Sequence, residues 1–283
     1  MSDLGWALLP SALGVLLLTP LVIWLARRLE WVAYPREDRW HGRPTALMGG
    51  IAIYGAATLG LFVALPPGDV WAVWSGATLM FAVGAVDDLA RIQPAAKLAA
   101  QVVATGLLLY AGYAFGAHWP LWLSLPITLL WVLGITNAVN LLDNMDGLAA
   151  GVAGIAALVM AVFAGLTGSA TAVALGGAVG GAALGFLAFN YEPARIFMGD
   201  CGSLFLGFTI AALALVVQQQ AAGVGQLAVG LVPLAVLAVP ILDTTLVTCM
   251  RKLAGRPVSQ GGRDHTSHRL VFLGLSEQHA VLT

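Results

Sequence analysis

Residues 137–151 read NAVNLLDNMDGLAAG, and the reading of this stretch decides the fold. The segments on either side, Leu121–Thr136 and Leu148–Leu166, are apolar. Between them stand Asn137, Asn140, Asp143, Asn144 and Asp146. Amides donate and accept, whereas carboxylates accept or bind cations. Asp146-Gly147 alone could be a turn with Asp146 as N-cap of the next helix. That explanation leaves Asn137, Asn140 and Asp143 over, so the stretch reads as one wall of a polar site.

The chain around it is too apolar for a soluble protein. Of 283 residues 59% are hydrophobic and 10% charged, the mean hydropathy is +0.89, and soluble domains carry about 25% charge. This implies an all-α polytopic membrane protein forming a single domain over residues 1–283. No cleavage signal follows a basic N-terminal region, so the first apolar segment reads as a span. Cys201 and Cys249 make no disulfide or metal framework.

Stretches of about 20 apolar residues run near Leu4–Ala26, Thr45–Leu65, Val70–Val86, Ala95–Phe115, Leu121–Thr136, Leu148–Leu166, Thr171–Phe189, Ser203–Val217 and Val224–Met250. A further helix starts at Ser276, a suitable N-cap, and is cut short at Thr283. About ten transmembrane helices are expected, the last apparently truncated. With the loops alternating, all 13 Lys and Arg fall on one face, which the positive-inside rule makes cytoplasmic, with the N-terminus outside. Of the 14 acids only Asp3 and Asp69 fall on the other face. Trp6, Trp71, Trp74, Trp119 and Trp122 are placed to form the outer aromatic belt. The chemistry is therefore expected at the inner surface.

Four more polar stations share that surface. REDRWHGRPTALMGG, residues 36–50, reads by itself as a positive anchor with small residues opening a span. Asp87-Asp88 ends a span, where adjacent carboxylates face the negative helix terminus and need a cation. Arg91, Lys97 or a divalent metal could supply it. Asp200, in NYEPARIFMGDCGSLFLG, is placed either as an N-cap or as a metal ligand beside a phosphate at a helix N-terminus. His265 and His268, in GRPVSQGGRDHTSHRL, share a helix face and are flanked by Arg263 and Arg269, a mixture suited to phosphate. Asp243 adds an acid inside a span.

Taken in order, GRPTALMGG, GAVDDLARIQPAAK, NAVNLLDNMDGLAAG, PARIFMGDCGSLFLG and GGRDHTSHRL resemble the polyprenyl-phosphate N-acetylhexosamine-1-phosphate transferase superfamily (the MraY/WecA glycosyltransferase family 4). The resemblance covers nearly the whole chain and is nearer the WecA/TagO-like branch. It implies transfer of an N-acetylhexosamine-1-phosphate, GlcNAc-1-phosphate first among the options, from a UDP-sugar to undecaprenyl or another polyprenyl phosphate. UMP is released, in the first membrane step of a cell-envelope glycan pathway. It also implies Mg2+, with Mn2+ as the alternative ion. Asp87, Asp88 and Asp200 would be catalytic, with Asp87 deprotonating or positioning the lipid phosphate. Asp88, Asp143 and Asp200 would hold the metal. Lys97, Asn137, Asn140, Asp143, Asp146, Arg263, His265 and His268 would bind substrate.

The implied setting is the inner (plasma) membrane, with the active site facing the cytoplasm. The lipid bilayer, a UDP-N-acetylhexosamine and a polyprenyl phosphate are the expected partners, a homodimer is left open, and nucleic acid is not expected. HTSH stands where the peptidoglycan branch has three consecutive histidines, which disfavours a muramyl-pentapeptide donor. Asn144-Met145 replaces the family's usual Gly. An ion-coupled transporter is the alternative from another class; it would place ionisable groups near mid-membrane and often carry inverted repeats.

Overall fold

The computed structural model describes residues 2–34, 44–64, 70–116, 119–220, 226–256 and 264–283. The chain is an all-helical polytopic membrane protein. Among the described residues six helices are long and apolar enough to cross a bilayer: α1 (Ser2–Arg28), α3 (Trp71–Ala90), α5 (Leu121–Leu142), α6 (Leu148–Leu166), α7 (Ala170–Asn190) and α8 (Gly199–Gln220). Two apolar helices are shorter, α2 (Gly50–Ala64) and α4 (Pro94–Tyr110). The expectation of about ten crossings thus resolves into six long helices, or seven if a bent pair counts as one span.

That pair is α9 (Gln226–Val236) and α10 (Ala238–Leu253), bent by 65°. A single span over Val224–Met250 was the expectation. Pro240 has no N–H to return to the Val236 carbonyl, so the helix breaks there. The expected span at Thr45 also starts later. Thr45–Ala46 (β2) instead pairs antiparallel with Val32–Ala33 (β1), and the Phe197 N–H reaches the Ala46 carbonyl at 2.8 Å. Near the C-terminus lie two short helices, α11 (Thr266–Phe272) and α12 (Glu277–Leu282). Ser276 caps α12 as expected, but its 6 residues do not cross a membrane.

Burial orders the bundle. In α8 94% of the apolar window is buried and in α1 only 28%, so α8 is the axis and α1 a lipid-facing helix. Small residues allow the close crossings that membrane helices use in place of hydrophobic driving force. A Cβ on Gly176 of α7 would lie 2.6 Å from the Ala157 carbonyl oxygen of α6. A Cβ on Gly84 of α3 would run into the Asp200 carbonyl at the start of α8. That crossing sets Asp87 and Asp88, about one turn further on, beside the first turn of α8. The aromatic belt needs one correction: Trp74 is buried and packs on Tyr54 and Phe205, while Trp6, Trp71, Trp119 and Trp122 are exposed.

Candidate active site at the charged end of the bundle

Four helix ends meet at one end of the bundle: the C-termini of α3 and α5, and the N-termini of α4 and α8. α3 closes with Arg91 in the left-handed conformation at φ 51°. The chain then turns back, and Pro94 opens α4 at a position that needs no N–H. This hairpin brings Lys97 over the end of α3. Its Nζ lies 3.0 Å from Asp87 Oδ2 and 2.9 Å from Asp200 Oδ2. One ammonium thus bridges two carboxylates from different helices. The other Asp87 oxygen accepts the Ile92 N–H at 2.8 Å. Asn140, in the last turn of α5, donates from Nδ2 to Asp200 Oδ1 at 3.1 Å and to Ser203 Oγ at 2.8 Å. Asp87, Lys97 and Asp200 keep 15%, 22% and 28% of their side-chain surface exposed, so a substrate can reach them.

Asp88 does something else. Its Oδ1 accepts the Asp200 N–H at 2.8 Å and its Oδ2 the Cys201 N–H at 3.0 Å. It is therefore the N-terminal cap of α8, supplied from another helix, with its negative charge on the positive helix end. Gly199 permits the approach: its φ is +70°, and a Cβ there would sit 2.5 Å from Asp88 Oδ2. Asp200, placed by the sequence either as the cap of this helix or as a metal ligand, lies in its first turn with its carboxylate facing Lys97 and Asn140.

Two of the expected substrate ligands, Asn137 and Asp146, make hydrogen bonds within the protein. Asn137 donates from Nδ2 to Gln101 Oε1 at 2.8 Å and to the Leu133 carbonyl at 2.7 Å, and accepts from Gln101 Nε2 at 3.3 Å. This amide pair, with Gln101 buried and Asn137 partly so, ties α4 to α5 one turn behind Lys97 and Asn140. Asp146 does not cap α6, whose N-cap is Gly147 at φ 78°. Its Oδ2 accepts the Ala194 N–H at 2.8 Å and so fastens the loop leading into α8. Asp143 follows the last turn of α5, its N–H 3.3 Å from the Asn140 carbonyl.

A second polar cluster joins α10 to α11. Asp243 Oδ2 lies 2.6 Å from His265 Nδ1, and its Oδ1 accepts the Thr266 N–H and Oγ1–H, both at 2.7 Å. Arg251 forks onto Asp264 with contacts of 2.8 and 2.6 Å. The guanidinium lowers the Asp264 carboxyl to a pKa of about 2. The His265 and His268 rings meet edge to face at 5.9 Å, as their spacing implied. Ser267 Oγ donates to Asn144 Oδ1 at 3.2 Å, so the end of α5 touches both clusters. Arg263 lies outside the described residues.

Among the described residues no three His, Cys, Asp or Glu side chains gather as a metal-holding group, the expected set of Asp88, Asp143 and Asp200 included. Asp88 is taken up by the two N–H groups of α8. The carboxylates that share a cation are Asp87 and Asp200. Sequence reasoning passed over Gln101, Ser203 and Arg251 and gave Asp243 no role. Gln101 alone left a signal, as an isolated amide one turn from Lys97 in an apolar run.

Residues 70–218 match the family model described as Glycosyl transferase family 4. A probable undecaprenyl-phosphate N-acetylglucosaminyl 1-phosphate transferase of Bacillus subtilis is 34% identical over 98% of this chain and 79% of its own. A decaprenyl-phosphate N-acetylglucosaminephosphotransferase of Mycobacterium leprae is 33% identical over 97% and 78%. A phospho-N-acetylmuramoyl-pentapeptide-transferase of Desulforudis audaxviator is 32% identical over 96% and 90%.

Proposed function

The chain belongs to glycosyl transferase family 4, and from that premise we propose that it transfers GlcNAc-1-phosphate from UDP-GlcNAc to a polyprenyl phosphate. The observation that carries this reading is the convergence of Asp87, Lys97, Asn140 and Asp200 from four helices on one surface-reachable point. The relatives named as N-acetylglucosamine phosphotransferases supply the substrate classes. A transporter would instead place its ionisable groups near mid-membrane. Here they stand on helix ends.

In this reading an oxygen of the lipid phosphate attacks the phosphorus that bears the sugar. The bond from that phosphorus to the bridging oxygen breaks, and UMP leaves. Two anions must be brought together, so the site has to offset charge before chemistry begins. Lys97 offers an ammonium that can pair with the incoming lipid phosphate. Asp87 holds that ammonium in place, and Asn140 orients the Asp200 carboxylate. Asp88 acts at a distance, fixing the start of α8 on which Asp200 rides. His265 and His268 are assigned to the pyrophosphate or sugar of the donor.

Magnesium fits these residues. Asp87 and Asp200 are hard oxygen donors already bridged by one cation, and Mg2+ is commonly held by one or two carboxylates completed by substrate phosphates. These two side chains would hold it, and when bound it supplies charge neutralisation at the phosphoryl oxygens. The charged end is assigned to the cytoplasm because loop alternation along the sequence gives all 13 basic residues to one face. A lipid acceptor then keeps its tail in the bilayer while its phosphate meets a soluble nucleotide.

The test is UMP release from purified protein with undecaprenyl phosphate, Mg2+ and a panel of UDP-sugars. UDP-GlcNAc should be the preferred donor. Release from UDP-MurNAc-pentapeptide alone would overturn the donor assignment, and no release from any donor would overturn the reaction.

A further inference from the structure

We infer that Asp243 is a positioning residue that fixes the tautomer of His265, so that Nε2 is the ring nitrogen left to meet the anionic donor. The inference rests on the transferase reading for what His265 meets, but not for how the ring is held. Asp243 is buried within α10, with 1% of its surface exposed, and His265 has 3%. Three donors converge on the acid: the Thr266 N–H and hydroxyl on Oδ1, and His265 Nδ1 on Oδ2. A carboxylate with that partner set can only accept, so Nδ1 must carry the ring hydrogen. Nε2 then holds the lone pair. It can take up a proton and turn to donate to a phosphate oxygen, with the Asp243 charge balancing the imidazolium.

The surroundings make this arrangement rigid. Thr266 opens α11, so the same carboxylate that orients the ring also accepts the first N–H of that helix. Arg251, two turns along α10, clamps Asp264 immediately before the histidine. Ser267, two residues after the histidine, donates to Asn144 just past the end of α5. Residues 264, 265, 266 and 267 are thus each fastened by side-chain hydrogen bonds. A carboxylate behind a histidine is a recurrent device for fixing which nitrogen works; around metal-ligating histidines, loss of such a partner typically costs about 10–100-fold, and that range is taken as the scale here.

Asp243→Asn separates the two roles. Its amide oxygen can still accept from Thr266, so α11 keeps its cap. Its NH2 faces His265 Nδ1 and drives the ring to the opposite tautomer. Nitrogen-15 spectra of histidine-labelled protein, with His265 assigned by subtraction of a His265→Gln sample, read this directly. The expected result is an Nδ1–H ring in the wild type and an Nε2–H ring in Asp243→Asn, with UMP release at saturating substrates down about 10–100-fold. A neutral wild-type ring carrying its one hydrogen on Nε2 would overturn the inference without recourse to any variant. So would an unchanged tautomer in Asp243→Asn, or turnover within about threefold of wild type once the tautomer has flipped. Should the wild type release no UMP from any donor, the transferase reading fails, and the spectra still decide whether Asp243 governs the ring.

Discussion

Replacing Asp88 by Asn tests whether the second acid of the Asp87-Asp88 pair is a helix cap or a metal ligand. The carboxylate accepts two backbone N–H groups, at 2.8 and 3.0 Å, one of them from the fully buried Cys201. Asparagine has one acceptor oxygen, so one N–H of α8 loses its partner and meets an NH2 group. Loss of a hydrogen bond to a charged group costs about 1.5–3 kcal/mol. The missing charge at the helix N-terminus adds about 0.3–1 kcal/mol. A total of about 2–4 kcal/mol should lower the melting temperature in detergent by about 4–16 °C. Divalent-ion binding, followed by Mn2+ electron paramagnetic resonance, should change little. Asp200→Asn should show the reverse, with at least about tenfold weaker Mn2+ binding and a melting temperature near wild type. An Asp88→Asn protein that melts like wild type yet no longer binds Mn2+ would refute the capping argument.

Removing the bridging ammonium in Lys97→Met leaves Asp87 and Asp200 facing each other uncompensated, so Mn2+ should bind more tightly while UMP release falls by at least about 100-fold; weaker binding in the titration would contradict this. Gln101→Leu strands the Asn137 amide and should destabilise the protein by about 1–2 kcal/mol, and adding Asn137→Leu should restore most of that in thermal melts. Asp264 has its carboxyl held at about 2 by Arg251. A lowered carboxyl stabilises the fold fully above its unfolded value near 3.8 and loses that contribution as pH falls through about 2. With its side chain 29% exposed, Asp264→Asn should cost about 1–2 kcal/mol at pH 7 after discounting for solvent. The gap between the two proteins should close in melts taken toward pH 2.

Much of this was readable from the residues. Charge placement in the loops marked one end of the molecule, and that is where Asp87, Lys97, Asn140 and Asp200 meet. Apolar run length located α1, α6 and α7 to within two residues, and α5 at its start but six residues short of its end. What escaped was the assignment of partners. Asp88 and Asp200 are chemically alike, and only the approach of α3 to Gly199 decides that one caps α8 while the other faces the cation. Asn137 looked like Asn140 three residues on, but the amide of Gln101 claims it. The break between α9 and α10 was marked by Pro240 and hidden by the length of the apolar run around it. Such choices depend on which helices cross, and spacing along one chain does not report that.

The end of α5 holds Asp200 through Asn140 and the histidine segment through Asn144. One short post is therefore anchored to both halves of the catalytic floor. A tilt of that post would displace the two halves in concert, so under the proposed assignment a change at the donor side is expected to be felt at the acceptor side. Variants that acquire a new sugar donor by substitutions around Asn144 should carry compensating changes on the acceptor side, and inhibitors wedged against this helix end should impair both substrates together.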